Sequence, residues 1–415
     1  MNSKMLFVLM FLLFVSYFVF AQEIKRTGGY ARVVSMGNNP YLIDPEEIKV
    51  NPAWGFYYYD FLWGDIGSNT GPDFGNSSAG QFVGVNFAFN RNFTLGLMLT
   101  RNDFNTFSIG KLDPLADLGT GFGIIREVPG AVPLNNNLEI FASFKSYNLI
   151  LGLGIAFAAS KNNTQSILSG ETDISASQLG INGGIIANFK RNLFLDAGLS
   201  VIFPSANAQP PAPATKTTAS QTIIYINTRL FWRYSEKLRF VPIFYLLTAS
   251  GSQEADGQTG DLNSLTSFQL GFGIEYTIGN FLLVGGPAFN SRSWKIPSIP
   301  DSQQPELKNS SAVFPIWNLG AEWTVLDWLI ARMGYTASTS NNTTQTGTVQ
   351  GGTGITLITE NTITQYSPGI ATLGLGLRFG DFSLDGTINH DVLRQGLGNI
   401  GGGRTFAYIS TNYAF

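Results

Sequence analysis

The sequence predicts an all-β fold, a transmembrane antiparallel β-barrel. A tight turn recurs along the chain at intervals of 43 to 56 residues. Apolar residues alternate with polar ones over about ten positions on either side of each turn, the period of a strand with one face on lipid. Charged residues make up only 13% of the 415-residue chain, against about 25% in ordinary soluble domains.

The turns centre on Asn92, Asn148, Asn192, Lys237, Asn280, Asp327 and Asp381. In each, an aromatic residue leads into a few turn-prone residues and then a new apolar strand, as in FKRNLFLDAGL (Phe189–Leu199) and YTIGNFLLVGG (Tyr276–Gly286). Alternation is plain beside them. Leu193, Leu195, Ala197, Leu199 and Val201 share one face, and Asp196, Gly198 and Ser200 the other. Phe268, Leu270, Phe272, Ile274 and Tyr276 oppose Gln269, Gly271, Gly273, Glu275 and Thr277. Longer polar stretches, Ser205–Ser220 and the Thr/Gly-rich Ser338–Thr364, read as loops at the opposite end. A soluble propeller also repeats on this scale but needs four short strands per repeat, where each repeat here holds two long ones.

Seven turns define fourteen strands, from one around Gln81–Phe89 to one around Phe382–Asp391. Thr405–Phe415 supplies a fifteenth, and the even number found in single-chain bacterial barrels calls for one more. The aromatic run Trp54–Trp63 is the candidate, its rings suited to an interfacial girdle and its backbone to pairing with the last strand. Sixteen strands are expected; fourteen follow if one hairpin is an extracellular excursion.

The N-terminus carries Lys4, the apolar run Met5–Phe20 and the small residue Ala21, the pattern of a secretory signal peptide over residues 1–21. An uncleaved anchor is the alternative, but the run is short for a span of about 20 residues. Residues 22–53 then precede the barrel, read over 54–415. Cleavage removes one lysine and no acid, so 25 basic residues become 24 against 28 acidic ones, a net −4. That balance is too mild to suggest nucleic acid. With no cysteine, neither disulfides nor thiol chemistry contribute.

Strand parity puts Glu139, Phe141, Asp196, Arg229, Arg233, Arg239, Glu275, Glu322, Arg332, Arg378 and Asp385 inside the barrel, as lumen-lining candidates. Glu322 and Arg332 lie five residues either side of Asp327, and Arg378 and Asp385 flank the Gly380–Asp381 turn, positions at which hairpin partners can face each other. Such charges either form a structural network or a selectivity ring. Apolar residues share the inward face, among them Ile150, Phe194, Ile223, Tyr225, Phe231, Val241, Ile243, Tyr245 and Leu247. They suit a hydrophobic ligand, or packing against a plug. Enzyme chemistry is not expected: the only histidine, His390, has outward parity, and no G-x-S-x-G elbow is present. No cofactor or metal is expected, since Glu254–Gly257 lacks the spacing of a calcium loop.

Three motifs precede the barrel: Ala31-Arg32-Val33-Val34-Ser35-Met36-Gly37, then Asp44-Pro45-Glu46-Glu47-Ile48, then Asn51-Pro52-Ala53. They resemble the start of the FadL-like outer-membrane transport superfamily, which includes PorV-like barrels associated with a secretion system. The chain's end, TFAYISTNYAF, resembles the C-terminal insertion signal of outer-membrane proteins, with Tyr413 and Phe415 on one face. The resemblance implies that residues 22–53 form an N-terminal plug, or hatch, inside the barrel, with Asn51, Pro52 and Ala53 as plug or hinge residues. It implies an outer-membrane location in a Gram-negative-type bacterium, with both termini periplasmic. It implies uptake or passage of fatty-acid-like or hydrocarbon molecules, or else a docking role with a secretion-system partner; a general porin is the third reading. Outer-membrane lipids and the barrel-assembly machinery are the further partners expected. Read from its own residues, Asn-Pro-Ala is a corner, since Pro52 fixes φ and Asn51 can bond a neighbouring backbone group.

Overall fold

The computed structural model describes residues 27–68, 79–100, 137–166, 170–190, 192–209, 211, 215–255, 257–298, 305–349, 356–388 and 406–415. Residues 1–21, expected to be a signal peptide, lie outside this set, as do His390 and Asp256. The wall begins with β1 (Phe61–Ser68), β2 (Ala79–Asn90), β3 (Phe93–Thr100), β4 (Asn137–Ser146) and β5 (Leu149–Ser166). It continues through β6 (Gly170–Lys190), β7 (Leu193–Gln209), β8 (Thr217–Arg233) and β9 (Leu238–Ala255). A short β10 (Gln258–Asp261) folds back on the end of β9. Then come β11 (Ser264–Ile278), β12 (Phe281–Ile296), β13 (Leu307–Leu326) and β14 (Leu329–Val349). Last are β15 (Thr356–Phe379), β16 (Phe382–Ile388) and β17 (Phe406–Ala414).

Of the 17 strands in the sheet, β10 pairs with β9 alone, which leaves sixteen in the wall. Each is antiparallel to the next, and β1 pairs with both β2 and β17, so that Leu62 stands between Val85 and Tyr413 and the barrel closes. Closure removes the sheet edges that a bilayer would not tolerate. The expected turns are where the residues put them: Arg91–Asn92, Tyr147–Asn148, Gly279–Asn280, Asp327–Trp328 and Gly380–Asp381, with a four-residue bend over Tyr234–Lys237. Gly279 (φ 55°) and Gly380 (φ 61°) take the left-handed conformation that a tight hairpin asks of its glycine.

The outer face is apolar. Leu153, Ile155, Ile181, Leu199, Leu270 and Leu319 are exposed there. Near the turn end they give way to exposed rings, Phe144, Trp232, Phe281, Trp323, Trp328 and Tyr413, the girdle of a transmembrane barrel.

Three expectations are corrected. The run Trp54–Trp63 is not a strand throughout: Pro52–Phe56 forms a 3-10 turn capped by Asn51, and the wall starts at Phe61. Pro52 opens that turn with the φ it already favours. Trp54, Tyr58, Phe61 and Trp63 are buried in the interior and only Tyr59 and Leu62 are exposed, so most of these rings pack the lumen and do not form a girdle. The pairing with the last strand is as expected, Phe61 opposite Ala414. The polar stretches read as loops are largely strand: β7 runs to Gln209, β8 starts at Thr217, β14 reaches Val349 and β15 begins at Thr356. Beyond the lipid both faces accept polar side chains, so alternation fades while threonine still favours the extended backbone. Finally, Arg378 stands opposite Ser383 and Asp385 opposite Gly376, because the register is centred on Gly380–Asp381.

Candidate functional site: the lumen and its N-terminal segment

Between Gly28 and Asp60 the chain lies against the inward face of the wall. Helix α1 (Tyr30–Ser35) and two 3-10 turns, Pro45–Lys49 and Pro52–Phe56, are its regular parts. Such short turns leave many backbone carbonyls without internal partners, and side chains of the wall supply donors. Asn412 donates to Gly28 O at 2.6 Å, Thr387 to Ala31 O at 2.8 Å and Thr372 to Ser35 O at 3.1 Å. Asn318 donates to Gly37 O at 2.9 Å, Asn182 to Lys49 O at 3.0 Å, Ser143 to Pro52 O at 2.7 Å and Asn86 to Gly55 O at 2.6 Å. In the other direction Asn39 reaches Val284 O at 3.0 Å and Asn51 reaches Ile185 O at 3.1 Å.

Glycines make room for this segment. A Cβ on Gly184 would overlap the Asn51 carboxamide, one on Gly152 the Pro52–Ala53 peptide, and one on Gly334 the Gly37 nitrogen. The Asn-Pro-Ala corner therefore sits on bare backbone of β5 and β6. Asn51 Oδ1 accepts from Ala53 N at 2.9 Å while its Nδ2 donates to Asp196 Oδ1 at 2.6 Å. Neither the amide donors nor the glycine seat stood out in the sequence. Their signal is small residues at inward positions on many strands, and it is visible only once the register aligns them.

The charged candidates fall into linked groups. Arg32 of the Ala-Arg motif bonds Glu322 at 2.9 Å and Asp44 at 3.2 Å. Glu322 meets Arg332 at 2.7 Å, Arg332 meets Asp385 at 2.6 Å, and Asp385 takes Arg378 at 2.9 Å. Across the lumen Arg229 joins Asp196 at 2.5 Å and Glu47 at 2.8 Å. Arg239 pairs with Glu275 at 3.0 Å. Arg233, half-buried, stands opposite Arg239 in the ladder. Glu139 and Phe141 are buried on β4, the Phe141 ring edge-on to Trp63 at 6.2 Å. The expected Glu322–Arg332 opposition is realised in register and in contact. Tyr413 and Phe415 stack on the outer face at 6.2 Å.

A further acid pair sits in the segment. Glu46 Oε1 and Asp65 Oδ2 have no donor, while Lys49 bonds Glu46 Oε2 at 2.7 Å. One lysine beside two interacting buried carboxyls leaves a proton to be shared. Burial, reinforced by Asp65 and opposed by Lys49, pushes the Glu46 carboxyl up to about 8.

The apolar candidates divide in two. Ile150, Phe194, Phe231, Val241 and Ile243 pack against Trp54, Met36, Tyr41 and Leu42 of the segment. Ile223 and Leu247 instead join Ile202, Leu265 and Trp294 in a cluster built from wall residues alone. At the turn end a cavity of about 690 Å³ is bounded by Arg32, Arg239, Glu275, Glu322 and Arg378. Among the described residues no group of three His, Cys, Asp or Glu is placed to hold a metal ion.

One stretch of the β11–β12 ladder lacks backbone pairs although its register is unchanged. The β11–β12 ladder pairs Gly271 with Ala288 and Ile274 with Gly285 but skips the residues between, where Pro287 has no N–H to give. The Tyr41 ring occupies the space a Gly273 side chain would fill, and its hydroxyl donates to Pro287 O at 2.9 Å. Outside, beside this stretch, lies an apolar groove of about 460 Å³ lined by Ile274, Leu283, Gly285, Leu319, Met333 and Tyr335.

No family model matches the sequence, and no curated protein sequence matches it. Among solved structures it is similar to the outer-membrane transporter YddB of Escherichia coli, at 10% identity and a TM-score of 0.39. That match covers 79% of this chain, which spans 59% of the length of YddB. It is similar to the toluene transporter TodX of Pseudomonas putida at 10% identity and TM-score 0.39, over 95% of this chain and 100% of that one. It is similar to the toluene transporter TbuX of Ralstonia pickettii at 12% identity and TM-score 0.35, over 94% and 99%. These are likenesses of barrel form, and the reading of the site rests on its own geometry.

Proposed function

We propose that the chain is an outer-membrane barrel of the FadL-like type that passes hydrophobic small molecules, fatty-acid-like or hydrocarbon, between lumen and bilayer. In this reading the segment Gly28–Asp60 is the plug and both termini are periplasmic. The observation that carries the reading is the weakly bonded stretch of the β11–β12 ladder, backed from within by Tyr41 and flanked outside by an apolar groove. A water-filled pore has a polar interior, whereas Ile202, Ile223, Leu247 and Leu265 give this lumen an apolar patch. As a plug the segment would obstruct the axial route that a porin needs, and a path through the wall suits an apolar solute better. The protein then acts as a conduit and carries out no reaction of its own.

Reconstitution into liposomes tests this, with uptake of a labelled fatty acid or aromatic hydrocarbon compared with leakage of small ions. Hydrophobic uptake without ion leakage is expected, and filling the outer groove with Leu283→Trp should slow it. Ion conductance of porin size would sink the proposal. No flux of either kind would turn the reading to docking within a secretion system.

A further inference from the structure

On the inward face, charges that stand directly opposite one another are mostly matched in sign. Asp196 faces Arg229, Glu322 faces Arg332 and Glu275 faces Arg239. The turn end of β8 and β9 breaks the pattern, because there Arg233 stands opposite Arg239. Arg233, Arg239 and Glu275 form a row across β8, β9 and β11, two cations to one acid. Like charges directly opposite are destabilising, and the Arg233 charge does act against that of Arg239.

Arg229 and Arg332 each bond two acids. Arg239 bonds Glu275 alone, through Nη1 at 3.0 Å. The half-buried Arg233 side chain bonds no acceptor among the described residues, and the exposed Glu236 of the adjoining turn pairs with neither arginine. The Phe231 ring, 5.9 Å from the guanidinium carbon, helps to hold Arg239 in place. Arg239, Glu275 and Thr277 line the turn-end cavity of about 690 Å³, and Leu42, Ile43 and Leu282 give it an apolar side.

We propose that Arg233 and Arg239 form a binding site for an oxyanion group, such as a phosphate, beside the turn-end cavity. The group is either a free ion or the head of a molecule whose apolar body rests against Leu42, Ile43 and Leu282. Guanidinium forks match an acceptor that offers two oxygens. Each guanidinium carries five N–H donors, and the one printed side-chain bond to Glu275 leaves the pair donors to spare. A bound anion cancels the repulsion between the two arginines, so a row that costs stability when empty gains it when filled. The site goes beyond the conduit reading and stands whether or not an apolar solute crosses the wall.

Isothermal titration of the full chain in neutral detergent at low salt tests the proposal, with inorganic phosphate, phenyl phosphate and uncharged phenol as probes. Both anions should bind, and added salt should weaken them. Arg233→Gln should weaken both by about tenfold or more, as expected for lost bonds to a charged group, and should leave any phenol binding unchanged. Glu275→Gln removes the competing carboxylate and should tighten both anions. Without anion, Arg233→Gln should unfold in urea at or above the parent's midpoint, because it relieves the repulsion. Phenyl phosphate binding about tenfold tighter than phosphate would support the site as one for the head of an apolar molecule; equal or weaker binding would support it as one for the free ion. Three results would each overturn the idea: no binding of either anion, equal affinity in Arg233→Gln and the parent, or a lower midpoint for that variant without anion. The last would make Arg233 a structural residue.

Discussion

Asn51 and Asp196 meet in a 2.6 Å hydrogen bond from Nδ2 to Oδ1, and the other oxygen of Asp196 takes Arg229 at 2.5 Å. One carboxylate on β7 thus joins the Asn-Pro-Ala corner to the arginine that also holds Glu47. Asn51→Leu strips Asp196 of one donor and should cost about 1.5–3 kcal/mol, the range for a bond to a charged group. Arg229→Met leaves Asp196 and Glu47 buried without their cation and should cost more, about 3–5 kcal/mol. Urea titration of the folded barrel, followed by its heat-modifiable mobility, measures both; equal costs would refute this ordering.

Gly183 and Gly184 are neighbours on β6 with opposite surroundings. A Cβ on Gly183 meets nothing within 4 Å, whereas one on Gly184 would overlap Asn51. Gly183→Ala should leave the barrel within about 0.5 kcal/mol of the parent. Gly184→Ala should lift the corner off the wall, raising hydrogen exchange over Asn51–Ala53 while the β5–β6 ladder stays protected. Similar behaviour of the two variants would show that the seat is not tight.

Much of the wall was legible because lipid imposes a period of two. Asp196, Arg229, Glu322 and Arg332 were found by parity alone, and they are inward and paired. Where lipid no longer acts the period fades, and the Thr/Asn stretch of β14 carries no strand signal of its own. The Trp54–Trp63 run misled because aromatics suit a girdle and a packed interior equally well. Only the cap at Asn51 distinguishes the two. The seat for the segment was illegible for a different reason. Gly152, Gly184 and Gly334 are far apart in sequence and meet the segment only through the closed wall.

Glu46 gives the segment a pH dependence of definite sign. Burial raises its carboxyl from the ordinary value to about 8 in the folded state. A raised acid favours the folded state while protonated, so its contribution is complete below its unfolded value of about 4.3. It is lost as pH rises through about 8. Between pH 6 and pH 9 the stretch Asp44–Val50 should therefore become more open to exchange or limited proteolysis. Asp44 and Glu47 of the same stretch are also raised by burial, to about 7 and about 8, so Glu46→Gln, which carries no charge, should reduce that response without abolishing it. An unchanged slope in the variant would assign the effect to another group.

Phe415 has two attachments that can be separated. Its amide donates to Asp60 O at 2.9 Å, which fastens the chain end to the start of β1, while its ring lies on the outer face beside Tyr413 and Phe87. If the ring is what the barrel-assembly machinery reads, Phe415→Ala should impair membrane insertion although the backbone bond survives. Deleting Phe415 should do the same and also free Asp60 O. Export should continue in both, so the unfolded chain would accumulate on the periplasmic side. Fractionation with heat-modifiability scores insertion, and the refolding yield of purified chain in detergent scores intrinsic stability. An insertion defect in cells with normal refolding in detergent supports recognition of the ring. A matching loss in both assays would mean that Phe415 acts by closing β1 on β17.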